Sequence, residues 1–294
     1  VARKYLAILV VTCGCVGTVL RAETNLAIVP IRLRHGDLLA ETTVNGSAPL
    51  EFKVDTGFGI NVINPNRVES LGLKRVGSMT IIGIAGEERA DTYGGAVLNL
   101  GTMSYAPRRI AALPSESRRR WRTRDGILGA GFFRKFVVEI DIPAKQMKLY
   151  QPEAWSYAGK GEIIPIHFQS DTPIIDVQIV PAGKEPIQGR FEIDTGCDDA
   201  VCVGHEFVLA HQLLNHAEDA NESRRGVGGS ADIRPGKLQE LRLGNFKITK
   251  PSANFFLEGS PAGDGQAGHI GLGALERFRM VFDYSRKRLI LEPL

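Results

Sequence analysis

The chain is poor in long hydrophobic runs, in cysteine and in surplus charge. Its longest apolar stretch, Tyr5 to Leu20, has sixteen residues, short of the roughly 20 that a membrane-spanning helix needs. Arg3 and Lys4 precede it and small Ala22 follows it, so 1–22 reads as a secretory leader. A lipid anchor at Cys13 or Cys15 fits less well, because the apolar run continues through VGTVL beyond both. The expected location is exported, periplasmic or secreted, with no stable membrane insertion. Loss of the leader removes Arg3, Lys4 and Arg21 but no acid, so 36 basic residues become 33 against 33 acidic ones. That balance gives no reason to expect a nucleic-acid partner or an anionic membrane. Two of the four cysteines leave with the leader. Cys197 and Cys202 remain, in what would be an oxidising compartment. Five extended residues span roughly 16 Å, too far for a disulfide; the pair reads as two buried free thiols, with a disulfide as the alternative.

Other chemistries lack their signatures. No G-x-S-x-G nucleophile turn and no phosphate-cradling G-x4-G-K-[ST] occurs, and no His/Cys/Asp/Glu group has metal-ligand spacing. No cofactor or metal is expected. The basic run SRRRWRTR at 117–124 reads as a solvated loop rather than an anion-binding surface. With 294 residues, 43% hydrophobic and 23% charged, the chain is neither disordered nor fibrous and is long enough for two domains.

What is present is a repeated tripeptide. FKVDTGFGIN at 52–61 is answered 139 positions later by FEIDTGCDDA. One Asp-Thr-Gly would arise by chance in about one chain in twenty of this length. Two copies, each behind alternating apolar residues (Phe52 and Val54; Phe191 and Ile193), read as half-buried strands running into glycine turns.

The rest of the chain repeats with them. The segment 28–46 is similar to 163–180, and 126–152 lies over 269–293, with Phe136 over Phe278, Asp141 over Asp283 and Leu149 over Leu289. The mature chain is thus a tandem of two homologous halves, 23–155 and 156–294, joined within QPEAWSYAGKGE at 151–162. Period-two patterning and short turns make both halves mainly β. Helical periodicity is confined to 66–73, 205–218 and around 274–278.

In each half a strand, Asp-Thr-Gly, an apolar strand, a glycine-rich hairpin, an apolar-apolar-Gly segment and a last D-x5-L hairpin follow in order. Each half resembles a retropepsin lobe, and the chain resembles a tandem, pepsin-type aspartic peptidase of the two-lobe bacterial form. The resemblance covers nearly everything from residue 26 to 294. It implies two homologous β-barrel lobes, a peptide or protein substrate, no cofactor, and a monomer with intramolecular lobe pairing rather than a homodimer.

In such peptidases one water lies between two carboxyl groups that share a proton. The resemblance makes Asp55 and Asp194 that dyad, neither assignable as acid or base from sequence. Thr56 and Thr195 would cross-link the two loops, and Gly57 and Gly196 would let backbone N–H groups approach the carboxylates. Gly83, Ile84, Ala85 and Gly86 in one half, and Gly226, Val227, Gly228 and Gly229 in the other, would form flaps over an extended substrate.

Four features depart from the pattern. Phe58 and Cys197 stand where a small residue is usual after Asp-Thr-Gly; Phe58 would either turn outward or narrow the site. Asp198 and Asp199 follow Cys197 and read as facing water. His269 replaces an apolar residue in the second apolar-apolar-Gly segment, and reads as a satisfied, partly buried histidine rather than a catalytic one. The expected activity is an aspartic endopeptidase, with a catalytically impaired peptide-binding or assembly module of the same fold as the alternative.

Overall fold

The structure is a computed structural model, and it describes residues 25–114, 124–260, 263 and 265–294. The expected leader, Cys13, Cys15 and most of the basic run 117–124 lie outside the described residues. Arg124, the one described residue of that run, donates to Asp37 at 2.7 Å.

The architecture is mainly β, in two lobes built on one plan. In the first, strand Asp37–Val44 pairs antiparallel with Leu50–Val54, and Gly126–Leu128 lies parallel to the latter while pairing antiparallel with Val62–Ile63. In the second, Thr172–Val180 pairs antiparallel with Ile187–Asp194, and Gly268–Gly271 lies parallel to the latter and antiparallel to Val201–Val203. Each Asp-Thr-Gly therefore follows a central strand whose parallel neighbour is an apolar-apolar-Gly segment. Phe52, Val54, Phe191 and Ile193 are fully buried. Contrary to the half-buried expectation, Lys53 and Glu192 between them are buried as well. The second face is covered because Lys53 donates across to Gly196 O at 2.5 Å, while Glu192 faces His269 on the neighbouring strand.

The two lobes share a six-stranded sheet. Its order is Glu162–Pro165, Arg288–Pro293, Phe278–Asp283, Val137–Asp141, Gln146–Tyr150 and Asn25–Arg34. The lobes meet at its middle, where Val138, Glu139 and Ile140 pair with Phe282, Val281 and Met280. Strand alternation gives the sheet two apolar faces. Val138, Ile140, Met280, Phe282, Leu289 and Leu291 point into the main core, while Val137, Tyr150, Val281 and Ile290 lie under Trp155. The 151–162 connector is thus packed onto the sheet, and Arg286 holds it by donating to Pro152 O and Trp155 O at 3.0 and 3.1 Å. The aligned ends behave alike: Asp141 accepts from Ala144 N at 2.9 Å and Asp283 from Arg286 N at 3.2 Å, each closing its hairpin turn.

The helices are shorter than the periodicity suggests. Over 66–73 only a 3-10 turn at Pro65–Arg67 and one wider turn form, the latter closed by Leu71 N–H donating to Arg67 O at 3.0 Å; Gly72, at φ +66°, ends it. The 205–218 segment splits into helix His205–Ala210 and a 3-10 turn Leu213–His216 on either side of Gln212, at φ +52°. The third helix is Leu272–Leu275, because the chain turns into a strand at Phe278. Its first-lobe counterpart, Ala130–Lys135, is too short to show a period.

Candidate active site

The two Asp-Thr-Gly loops meet back to back at the lobe junction. Thr56 N–H donates to Thr195 Oγ1 at 3.0 Å, and Thr195 N–H returns the bond to Thr56 Oγ1 at 2.9 Å. Each hydroxyl passes its own proton to the strand of the opposite lobe, Thr56 to Ile193 O at 2.6 Å and Thr195 to Val54 O at 2.9 Å. Both threonines are fully buried, so this closed set of four bonds is shielded from competing water. The resemblance implies a cross-link by these two threonines.

The glycines sit where a side chain has no room. A Cβ on Gly57 would fall 2.6 Å from Asp194 Cγ, and one on Gly196 would fall 2.2 Å from Asp55 Cγ. Each glycine is therefore packed against the other lobe's carboxylate. Gly196 N–H also donates to Asp194 Oδ1 at 2.7 Å.

Asp55 and Asp194 are buried beside one another. Burial and the neighbouring Asp194 charge push Asp55 up to about 7. Burial also opposes the charge on Asp194, but His269, Lys53 and the Gly196 N–H outweigh it and hold Asp194 down to about 2. His269 Nδ1 lies 3.2 Å from Asp194 Oδ2, and its Nε2 lies 3.6 Å from Glu192 Oε2. On the first-lobe side Lys53 Nζ is 2.6 Å from Asp37, which Arg124 also engages. Sequence reasoning passed over Lys53 and Glu192. Their visible signal is one charged residue two places before each Asp, between two apolar residues that are themselves buried.

The two glycine-rich hairpins meet at their tips. Strands Lys74–Gly83 and Gly86–Gly94 turn at Ile84 and Ala85, and Glu222–Gly226 and Gly229–Lys237 turn at Val227 and Gly228. Their tips touch, with Ala85 N–H donating to Val227 O at 3.4 Å. Each tip crosses to the far lobe. Val227 packs with Val62, Leu113 and Ile127, and Ile84 and Ala85 pack with Cys202, Ile233 and Phe256. Phe58 is half-buried and packs against the first of these clusters rather than turning outward. Gly228, at φ +84°, leaves 2.5 Å between an added Cβ and Gly86 N. Gly228→Val should therefore part the tips at a cost of about 1–3 kcal/mol, read as a lower unfolding midpoint and faster amide exchange at Ala85.

The residues after the second Asp-Thr-Gly separate by role. Asp198 is exposed, as expected, whereas Asp199 is half-buried and held by Arg224 of the second hairpin at 3.0 and 3.3 Å. Cys197 and Cys202 are free thiols with sulfurs 3.8 Å apart. Cys202 is buried and Cys197 only half-buried, and the chain doubles back between them rather than running extended. Together with Asp199 they are the one group among the described residues with metal-ligating atoms within 4.8 Å of each other, a grouping that the spacing had not revealed. Arg224 already occupies both Asp199 oxygens, so a cation would have to compete with a guanidinium.

Among solved structures, an aspartic proteinase from Irpex lacteus superposes on the chain with a TM-score of 0.63, covering 91% of this chain and 97% of that one at 16% identity. The fold is that of an aspartic proteinase. Residues 40–132 match the family described as aspartyl protease, and no curated protein sequence matches the chain. The aspartyl protease match spans the first Asp-Thr-Gly, the first hairpin and the apolar-apolar-Gly segment. Family match and aspartic-proteinase fold together support a peptidase, hence a hydrolase.

Proposed function

We propose that the protein is an exported aspartic endopeptidase, acting as a monomer in the periplasm or outside the cell. Its leader would be 1–22 and its lobes 23–155 and 156–294. Asp55 and Asp194 form the catalytic dyad in this reading. The observation that carries it is the reciprocal packing of Gly57 on Asp194 and Gly196 on Asp55, which brings one carboxyl from each lobe into a single buried site. A water bound between them gives a proton to the ionised carboxylate as its oxygen bonds to the scissile carbonyl carbon. The protonated carboxyl supplies a proton to the carbonyl oxygen. Collapse of the tetrahedral diol then breaks the C–N bond, as the carboxyl that took the water's proton gives it to the amine nitrogen and the other carboxylate takes a proton from a diol hydroxyl. The flap tips would lift to admit an extended peptide and close over it by backbone hydrogen bonds.

This chemistry needs one proton on the pair. Hydrolysis of a casein-like peptide is expected between a lower limb near about 2, where Asp194 gains a proton, and an upper limb near about 7, where Asp55 loses one. A statine-type inhibitor, which imitates the tetrahedral intermediate, should block it, and chelators should leave it unchanged. Tight inhibitor binding without turnover at any pH would identify a peptide-binding module instead.

A further inference from the structure

The backbone of the site is two-fold symmetric, but the charges behind it are not. Glu192 and Asp194 are two apart on strand Ile187–Asp194 and share one of its faces. His269 is the direct cross-strand partner of Glu192, so its ring lies against both carboxylates, 3.2 Å from Asp194 and 3.6 Å from Glu192. Glu192, Asp194 and His269 are all buried, and His269 Nε2 has no hydrogen-bond partner besides that ion-pair contact. At the matching positions of the first lobe Lys53 stands for Glu192 and Ile127 for His269. Lys53 donates to Gly196 O and pairs with Asp37, so the first lobe sets a cation and an aliphatic side chain where the second sets an acid and an imidazole.

We propose that His269, backed by Glu192, is a positioning residue that decides which member of the dyad carries the shared proton, keeping Asp194 ionised and the proton on Asp55. The proposal rests on the peptidase reading, and it gives each carboxyl a fixed role. Asp194 takes the proton from water, and Asp55 donates to the carbonyl. An imidazolium 3.2 Å from one carboxylate, with both groups buried, favours that carboxylate's charge far more than it would at a surface. Glu192 keeps the imidazole protonated by supplying the second anion. The remaining ionisable groups facing the cluster do not cancel it. Cys202, opposite His269 on Val201–Val203, and the buried Tyr284 hydroxyl are both pushed upward and stay neutral. Arg134 adds positive charge beside Tyr284; Lys53 favours the charge on Asp194 and, with Arg124, also that on Asp55, where burial and the Asp194 charge outweigh the two cations.

The test reads the carboxyl groups directly and does not require turnover. Carbon-13 NMR of aspartate-labelled protein, free of substrate, should show Asp194 titrating below the ordinary carboxylate range, and its midpoint should rise by about one pH unit or more in His269→Leu/Glu192→Leu. This double variant removes the buried histidine and Glu192 together, so neither of the two is left without the other, and Asp194 alone reports the loss of the imidazolium. In wild-type protein labelled at histidine, the His269 ring should stay doubly protonated through neutral pH, a measurement that stands even if the variant fails to fold. The acid limb of kcat/KM should move upward with the Asp194 midpoint. A neutral His269 ring at pH 6 in the wild type, or an Asp194 midpoint unchanged in the double variant, would overturn the proposal. A wild type that titrates as described yet hydrolyses nothing would sink the peptidase reading and leave the proton placement standing.

Discussion

Asp55→Asn and Asp194→Asn should each reduce kcat by about 10³-fold or more, because in the proposed mechanism either change removes one of the two groups that exchange protons with the reacting atoms. Their effects on stability should have opposite signs. Asp55 keeps its proton in the folded protein up to about 7, whereas the unfolded chain releases it near the usual carboxylate value. Between those two pH values the unfolded state binds fewer protons, so stability falls as pH rises. Asn at 55 resembles the protonated acid and removes that slope, so Asp55→Asn should be as stable as the wild type at pH 4 and more stable at pH 7. Asp194 is the reverse case. Its carboxylate is held down to about 2, so it contributes stability above the unfolded value, and that contribution is lost as pH falls toward 2. Asp194→Asn also strips His269 of its nearer anion, and should cost about 1–3 kcal/mol at neutral pH. Urea midpoints of both variants at pH 4 and pH 7 decide it. Equal shifts in the two variants would mean that the dyad is electrostatically symmetric.

The part of this site legible in the sequence is the part that both lobes share. Asp-Thr-Gly appears twice because each lobe supplies one carboxylate, one cross-lobe hydroxyl and one gap for the other carboxylate. Short motifs in a fixed order survive as a signal even when each is weak alone. The Thr56 and Thr195 bonds, the two hairpin tips and the alignment of Asp141 with Asp283 all follow from it. What stayed hidden depends on contacts between distant positions. Lys53 and Glu192 alternate with apolar residues as surface positions would, and a sequence cannot show that one reaches across to Gly196 while the other meets His269. His269 was expected to be satisfied and partly buried. It is more deeply buried than that, and it faces two carboxylates. Phe58 could have turned either way, and only the arrival of Val227 from the other lobe explains its inward packing. The helices failed for a local reason: a period of 3.6 needs several turns to declare itself, and Ala130–Lys135 and Leu272–Leu275 have fewer than two.

Separating the lobes should abolish activity almost completely. Residues 23–155 and 156–294, produced as two chains, would each keep one carboxyl, one hairpin and half of the six-stranded sheet. Neither half has a site. Each would also lose the neighbour of its central strand, Val137–Asp141 in one and Phe278–Asp283 in the other, leaving backbone groups and apolar side chains such as Val138 and Phe282 at an open edge. Mixing should restore some hydrolysis, since the same edges pair Val138 with Phe282 and the threonine bonds can re-form. The 151–162 connector normally holds the halves at an effective concentration of about millimolar, and its Trp155 closes one face of the shared sheet. At micromolar concentrations the halves should therefore associate incompletely, and specific activity should climb with protein concentration where that of the intact chain does not. Cleavage by either half alone, at the intact chain's rate and abolished by its own Asp→Asn change, would show that each lobe pairs with a second copy of itself. In that arrangement Gly57 would pack on a second Asp55, with no imidazolium beside either carboxylate, and the acid limb of the 23–155 half should lie above that of the whole protein.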